Sequence, residues 1–106
     1  MPLKKLVRNN TLDCLWPYIL CILKDGPSHA YVLRKEIQKR FGFRPGNVSA
    51  YLVLYSLTKK CYVKKKKDGR KQVYSITPKG KELLKRARVF YLERARMLGK
   101  SRTQFI

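Results

Sequence analysis

Few residues of this chain carry side chains that could do catalytic or metal chemistry. The three cysteines, Cys14, Cys21 and Cys61, include no Cys-x-x-Cys pair, and His29 is the single histidine, so the paired spacing of a zinc site is missing. We interpret the cysteines as small buried hydrophobic residues, with a disulfide or a zinc ligand as the alternatives. No pair of carboxylates and no nucleophile beside a base stands out. The sequence therefore predicts a protein without a metal, a cofactor or an enzymatic activity.

Lysine and arginine dominate the chemistry of the chain. There are 26 of them against six aspartates and glutamates, which gives a formal net charge of +20 over 106 residues, enough for one domain. Repulsion between so many like charges destabilises a compact chain, so a polyanionic partner is expected, with nucleic acid the first candidate and an anionic membrane surface the second. No apolar run approaches the roughly 20 residues of a membrane span, and the first residues lack a secretion signal. We therefore expect no membrane association and a cytoplasmic, nucleoid-associated protein.

Apolar periodicity and turn residues predict the elements that position these cations. Residues 1–10 are expected to form a basic arm with little periodicity. A first helix, with Leu12 on its core face, ends near Lys24. It begins either at Thr11 as its cap or near Trp16, because proline, here at position 17, is tolerated only in a first helical turn.

Two more helices are predicted before the pattern changes. Ser28 is the expected cap of the second helix, which carries a core stripe at the spacing i, i+3, i+7 and i+11. The stripe consists of Ala30, Leu33, Ile37 and Phe41. After a turn at Pro45-Gly46, a third helix covers residues 47–60.

Beyond the third helix the helical spacing of apolar residues ends, and two short runs typical of strands follow. Residues 62–67 and 70–76 are predicted strands, and the Asp68-Gly69 pair between them is a strong signal for a tight hairpin. Three helices followed by a hairpin is the order of a winged helix. We therefore predict an α+β, mostly α fold: a winged helix-turn-helix with a two-stranded wing and a long C-terminal dimerisation helix.

The last helix is predicted from its capping residues. Thr77 and Pro78 are suited to the cap and the first helical position, and Gly99 is a natural stop, so the C-terminal dimerisation helix covers residues 78–99. The winged-helix DNA-binding domain then comprises residues 11–77, and residues 100–106 are expected to form a flexible tail.

Six cations surround the predicted hairpin turn. Because side chains alternate between the two faces of a strand, an unbroken lysine run cannot all face a core. At a hairpin tip such charges can reach the phosphates that flank a groove, although lysines also protect edge strands from unwanted pairing. The predicted wing contacts are Lys64, Lys65, Lys66, Lys67, Arg70 and Lys71.

The third helix has two apolar sides, so its periodicity alone does not choose the core face. One side carries Ala50, Leu54, Leu57 and Cys61. The opposite side carries Val48, Leu52, Tyr55 and Lys59.

Five short segments in order resemble the PadR-like family of winged-helix transcription regulators, over about residues 14–85. They are Ile19-Leu20-x-x-Leu23, Gly26-Pro27-Ser28-His29-Ala30-Tyr31, Tyr51-x-x-Leu54-x-x-Leu57, Lys60-Cys61-Tyr62-Val63 and the run Tyr74-Ser75-Ile76-Thr77-Pro78-Lys79-Gly80-Lys81-Glu82-Leu83-Leu84. Ala30 and Cys61 stand where the family commonly has glycine. The resemblance implies a capping or packing role for His29.

The resemblance also implies that Leu54 and Leu57 face the core, so that the opposite side of the third helix faces a DNA groove. The predicted recognition residues are Arg44, Asn47, Ser49, Leu52, Tyr55, Ser56 and Lys59. This set offers few long hydrogen-bonding side chains for reading base edges, whereas Leu52 and Val48 suit thymine methyl groups. We therefore expect phosphate contacts to dominate the affinity and sequence discrimination to be modest.

The last helix carries a wide apolar arc. The part beyond Arg88 has too little remaining chain to cover it, and family members typically dimerise through C-terminal helices, so a homodimer is expected. The predicted interface residues are Leu84, Ala87, Phe90, Tyr91, Ala95 and Leu98. Packing back on the first helix and binding a membrane surface are the alternatives.

Together these features predict sequence-dependent binding of double-stranded DNA by a homodimer that regulates transcription, with repression as the expected mode. The sequence identifies no small-molecule effector. The alternatives are a sequence-tolerant architectural DNA-binding protein and an RNA-binding winged-helix protein.

Overall fold

The computed structural model describes residues 2–100, so Met1 of the predicted arm and positions 101–106 of the predicted tail lie outside the described residues. Within residues 2–100 the chain forms five helices and three strands. In chain order these are α1 (Pro2–Asn9), α2 (Trp16–Lys24), β1 (Ser28–His29), α3 (Ala30–Phe41), α4 (Asn47–Lys59), β2 (Val63–Asp68), β3 (Lys71–Ile76) and α5 (Pro78–Gly99). The predicted α+β, mostly α winged helix is confirmed, with one additional helix and one additional strand.

The additional helix is α1, which replaces the arm expected at the start of the chain. Leu3, Leu6 and Val7 recur at i, i+3 and i+4, the spacing of one helical face, and all three are more than half exposed. The Thr11 hydroxyl donates a hydrogen bond to the Val7 carbonyl oxygen at 2.7 Å. Thr11 follows α1, binds back to it through this hydrogen bond, and is not the cap of the next helix.

The next helix, α2, begins at Trp16, which confirms the later of the two predicted starts. Pro17 lies in its first turn, where a missing N–H group and a fixed φ are tolerated. Leu12 therefore precedes the helix and is exposed, so its predicted place on the core face is wrong. The Tyr18 hydroxyl donates to the Asn10 carbonyl oxygen at 2.5 Å, which holds the intervening segment against α2.

The additional strand is β1, whose two residues pair with β3 instead of capping a helix. Ser28 lies opposite Tyr74 and His29 opposite Val73. The predicted cap at Ser28 is wrong, because α3 begins at Ala30 and the Ser28 hydroxyl donates to the His29 carbonyl oxygen. Strand pairing satisfies backbone groups of both strands, whereas a side-chain cap satisfies one N–H group.

The two ends of α3 contact different neighbours. His29 precedes the helix without a side-chain cap, and its Nδ1 lies 3.3 Å from the Gln72 carbonyl oxygen, consistent with a packing role. At the other end Gly42 takes a left-handed φ of 77°. Phe41, predicted in the core stripe, is 37% exposed and packs edge-on against Tyr18 at the rim of the core.

The core lies between α2, α3, α4 and the base of the hairpin. Its fully buried side chains include Ile19, Leu20 and Leu23 from α2, Leu33 and Ile37 from α3, Leu54 from α4 and Val63 from β2. Every one of these elements contributes at least one side chain to the same cluster. The core therefore fixes the position of α4 relative to the hairpin.

The sheet has the order β1-β3-β2 and is antiparallel, so the two-stranded wing belongs to a three-stranded sheet. The register runs from Val63 opposite Ile76 to Asp68 opposite Lys71, which leaves Gly69 and Arg70 as the loop. The turn thus lies one residue later than the predicted Asp68-Gly69 pair. Gly69 has a φ of 63°, the positive φ that two-residue hairpin loops require at their first position.

The long helix α5 begins and ends where its capping residues predict. The Thr77 hydroxyl accepts a hydrogen bond from the Gly80 N–H at 3.1 Å and donates to the Cys61 carbonyl oxygen at 2.7 Å. A Cβ at Gly80 would collide with the carbonyl oxygen of Tyr62, so glycine permits this close approach. Ala87 is buried, and every described residue after it is exposed.

Candidate nucleic-acid interface

The core face of α4 is the side that the family resemblance implies. Ala50 and Leu54 are fully buried and Leu57 is 5% exposed. Cys61, which helical periodicity groups with them, is exposed, because α4 ends at Lys59 and Cys61 turns away with a left-handed φ of 66°. Interpreting Cys61 as a buried hydrophobic residue is therefore wrong, and Cys14 and Cys21 are only half-buried.

The opposite side of α4 is an exposed surface that combines apolar and polar side chains. Val48 is 71% exposed, and Leu52 and Tyr55 are each 64% exposed. The other predicted recognition residues, Arg44, Asn47, Ser49 and Lys59, are exposed as well, whereas Ser56 is half-buried. Large apolar groups held in solvent by a rigid helix are a typical contact surface.

The wing divides its lysines between the two faces of the sheet. Lys65 lies directly opposite Tyr74 and Lys67 opposite Gln72, so both share the face of β2 that also carries the buried Val63. Lys64 and Lys66 point to the other face. All six predicted wing cations are exposed.

Two adjoining cavities lie between α4, the start of α3 and the wing. The first has a volume of about 440 Å³ and is bounded by the exposed side of α4 together with Lys65 and Tyr74. The second has a volume of about 630 Å³ and extends toward His29, Arg70 and Lys71. Tyr51, Lys65 and Tyr74 line both cavities, which therefore form one cleft, and none of its lining residues is acidic.

Tyr51 and Tyr74 line the cleft, and the sequence-based prediction of site residues omits both. Both appear in the family motifs, but helical periodicity does not distinguish Tyr51 from its neighbours, and strand alternation does not reveal what covers Tyr74. Tyr74 is 8% exposed, and burial, followed by the proximity of Tyr51, raises the pKa of its hydroxyl. The hydroxyl therefore remains a protonated hydrogen-bond donor at neutral pH.

Five of the six acidic side chains form salt bridges with residues outside the cleft, and the sixth, Asp68, lies at the end of β2 opposite Lys71. Arg40 binds both Asp25 and Glu36, while Glu82 pairs with Arg86 at 3.3 Å and Glu93 with Arg96 at 2.9 Å. Arg8 and Asp13 form a fifth pair, at 3.5 Å. Within residues 2–100, no salt bridge involves the wing cations, so their charge remains available to a polyanion.

Other kinds of site find little support in the part of the chain that the structure describes. No group of three or more histidine, cysteine or carboxylate side chains there could hold a metal ion. Every helix within residues 2–100 is too short or too polar to span a bilayer.

A comparison with known proteins finds the family that the sequence resembles. The family model described as the transcriptional regulator PadR-like family matches residues 19–86. An uncharacterized 37.1 kDa protein in transposon Tn4556 of Streptomyces fradiae is 39% identical over 69 residues, which are 64% of this chain and 20% of that protein. The chain thus spans about a fifth of the length of this curated relative.

Solved structures share the fold. A transcriptional regulator from Clostridium thermocellum is 22% identical with a TM-score of 0.74, over 78% of this chain and 84% of that one. PadR of Bacillus subtilis, in complex with operator DNA, is 19% identical with a TM-score of 0.62, over 85% of this chain and 61% of that one. With the family model matching more than half of its length, the chain belongs to the PadR-like family of transcriptional regulators.

Proposed function

We propose that this chain binds double-stranded DNA through α4 and the wing and regulates transcription, with repression as the expected mode and no enzymatic activity. The observation that carries the proposal is the combined surface of α4 and the wing, which is cationic and lined by no acidic residue in its cleft. Family membership and the operator complex of the Bacillus subtilis relative support it. Such a protein would work at the nucleoid, in the cytoplasm.

In this proposal α4 enters the major groove and the wing reaches the flanking phosphates. Val48 and Leu52 are exposed enough to contact thymine methyl groups. Asn47, the first residue of α4, and Arg44, in the turn before it, carry hydrogen-bond donors. Because long polar side chains are few on this side of the helix, most of the affinity comes from phosphates.

We also propose that the protein is a homodimer through α5. This helix of 22 residues is about 33 Å long, and all of its residues from Arg88 onward are exposed. The radius of gyration, 16.0 Å, exceeds the roughly 13 Å of a compact domain of 100 residues. An elongated chain of this size leaves apolar surface that a second copy can cover.

The exposed end of α5 is where the second copy would pack. Phe90 is 56% and Leu98 87% exposed, with Tyr91 and Ala95 also exposed on the same side. Tyr91 lies close to Cys14, just before α2, and burial together with this neighbour raises the pKa of its hydroxyl. Leu84 and Ala87, also predicted in the interface, pack half-buried and buried against their own domain, so they would support the interface from its edge.

The experiment is a binding titration of the full chain over a salt series, with duplex DNA, duplex RNA and single strands as competitors. A dimer carries a formal charge of +40, twice the +20 of one chain. If it neutralises about 8–10 phosphates, the logarithm of the affinity should fall against the logarithm of salt with a slope of about −7 to −9. Discrimination between selected and random duplexes should be on the order of 10³ or less.

Each competing function has its own outcome in this titration. Equal competition by duplex RNA would replace DNA regulation by RNA binding. Equal affinity for every duplex sequence would indicate an architectural protein. A shallow salt slope with strong discrimination would mean that base contacts, and not phosphates, dominate.

A further inference from the structure

The cleft between α4 and the wing differs from the rest of the cationic surface in having a largely buried tyrosine, Tyr74, on its floor. Tyr74 is 8% exposed and lines both cavities. Among the described residues its hydroxyl has no hydrogen-bond partner. No side-chain polar atom of the described residues is both buried and without a partner, so the Tyr74 hydroxyl faces the open cleft, where it can donate a hydrogen bond to a ligand.

A cation and a second hydroxyl stand beside this floor. Lys65 is the register partner of Tyr74, and side chains directly opposite in an antiparallel pair have Cβ atoms about 4.5–5.5 Å apart. Tyr51 of α4 lines the same two cavities and is close enough to raise the pKa of Tyr74. Lys65 makes no ion pair with any residue in the described range, so its charge is not neutralised.

The walls of the cleft suit a sugar–phosphate chain better than an isolated ion. Val48, Leu52 and Tyr55 offer apolar surface on the side of α4. Arg70 and Lys71 add positive charge at the far end. A nucleic-acid strand presents apolar sugar edges alternating with phosphates, which is the same combination.

We propose that this cleft seats one backbone phosphate of the bound DNA strand, with Lys65 supplying the charge and the hydroxyls of Tyr74 and Tyr51 donating hydrogen bonds. The inference rests on the proposed DNA binding and specifies its geometry. Lys65 is then a positioning residue that fixes the wing relative to the recognition helix. Lys64 and Lys66, on the other face of β2, contribute only diffuse attraction.

The matched pair Lys65→Ala and Lys66→Ala tests this division, because both remove one charge from the same strand but on opposite faces. Lys65→Ala is expected to weaken duplex binding about tenfold and to reduce the salt slope by about 1. Lys66→Ala is expected to weaken it by no more than about twofold or threefold. Tyr74→Phe removes only the hydroxyl and should weaken binding about fivefold without changing the salt slope.

Duplexes with one neutral methylphosphonate per half-site identify the phosphate itself. A methylphosphonate at one position should weaken binding by the wild-type protein about tenfold. The same methylphosphonate should weaken binding by the Lys65→Ala variant little further, since the two changes remove the same contact. Thermal unfolding of Tyr74→Phe separates a folding defect from a binding defect, and Tyr51→Phe provides a second hydroxyl deletion at an exposed position. If the two lysine variants bind duplex DNA equally, and every methylphosphonate weakens the wild type and Lys65→Ala to the same extent, the proposed phosphate site is refuted while DNA binding stands. Wild-type protein that binds no duplex would refute both.

Discussion

Replacing Cys61 by glycine is expected to stabilise the protein, because Cys61 holds a backbone conformation that favours glycine. Among residues 2–100 it is the one non-glycine residue with a positive φ, at 66°. It follows the end of α4, where the Tyr62 N–H donates to the Leu57 carbonyl oxygen at 2.9 Å and the Cys61 N–H to that of Thr58 at 3.1 Å. This pair of hydrogen bonds defines the Schellman helix end, whose left-handed position is usually glycine.

The size of the effect follows from two opposing backbone terms. A left-handed conformation costs a residue with a Cβ about 1–2 kcal/mol. Glycine offsets about 0.5–1 kcal/mol of this gain, because it has more backbone freedom in the unfolded chain. The Cys61 side chain is exposed, so its removal sacrifices little packing. The free energy of unfolding should therefore rise by about 0.5–1 kcal/mol, or the melting temperature by about 3–6 °C.

The assay is thermal and urea unfolding followed by circular dichroism, under reducing conditions and at one protein concentration, since dimerisation would couple stability to concentration. Cys61→Ala is the matched control, because it removes the thiol but keeps the Cβ. Its stability should equal that of the wild type to within about 0.3 kcal/mol. If glycine is no more stable than alanine at this position, the left-handed conformation carries no strain and the reasoning fails.

Three further predictions concern the wing, the dimer and the start of α5. Changing residues 64–67 together to alanine should weaken binding to selected and random duplexes equally and flatten the salt slope. Loss of affinity for one sequence alone would mean that the wing contacts bases. Phe90→Asp should halve the sedimenting mass from about twice the 12.5 kDa of one chain, whereas Leu92→Asp, an exposed leucine on the other side of α5, should leave it unchanged. Gly80→Ala should lower the free energy of unfolding by about 2–3 kcal/mol because its Cβ meets a backbone carbonyl group, whereas Gly99→Ala, with open space around it, should have little effect in the same melts.

Local signals in the sequence are sufficient to predict most of the helices and strands of this protein. Asp68-Gly69 predicts the hairpin to within one residue of its loop, Gly69-Arg70, and α5 is predicted by Thr77-Pro78 at its start and Gly99 at its end. Each of these signals acts through backbone preferences of the residues themselves, so it is readable without knowing what packs nearby. The cationic character of the wing is likewise a property of its residues alone.

The periodicity of α4 was not sufficient to predict which side of the helix faces the core. Both sides of the helix are apolar, so the choice came from the family resemblance, and the buried Leu54 and exposed Leu52 agree with it. The predicted roles of the recognition, wing and interface residues remain predictions that the experiments above address.

Tertiary structure alone decided the features that depend on residues distant in sequence. Ser28 is a strand residue because its backbone pairs with β3. Phe41 lies at the rim of the core because it packs against Tyr18 of α2. The cleft arose because α4 lies across the one face of the wing that presents Lys65 and Tyr74. The sequence by itself determined which residues are cationic, apolar or turn-forming, since those are properties of single residues and their near neighbours. Which of the lysines share a cleft with a buried tyrosine depends on strand register and helix packing, and these are set only when the chain folds.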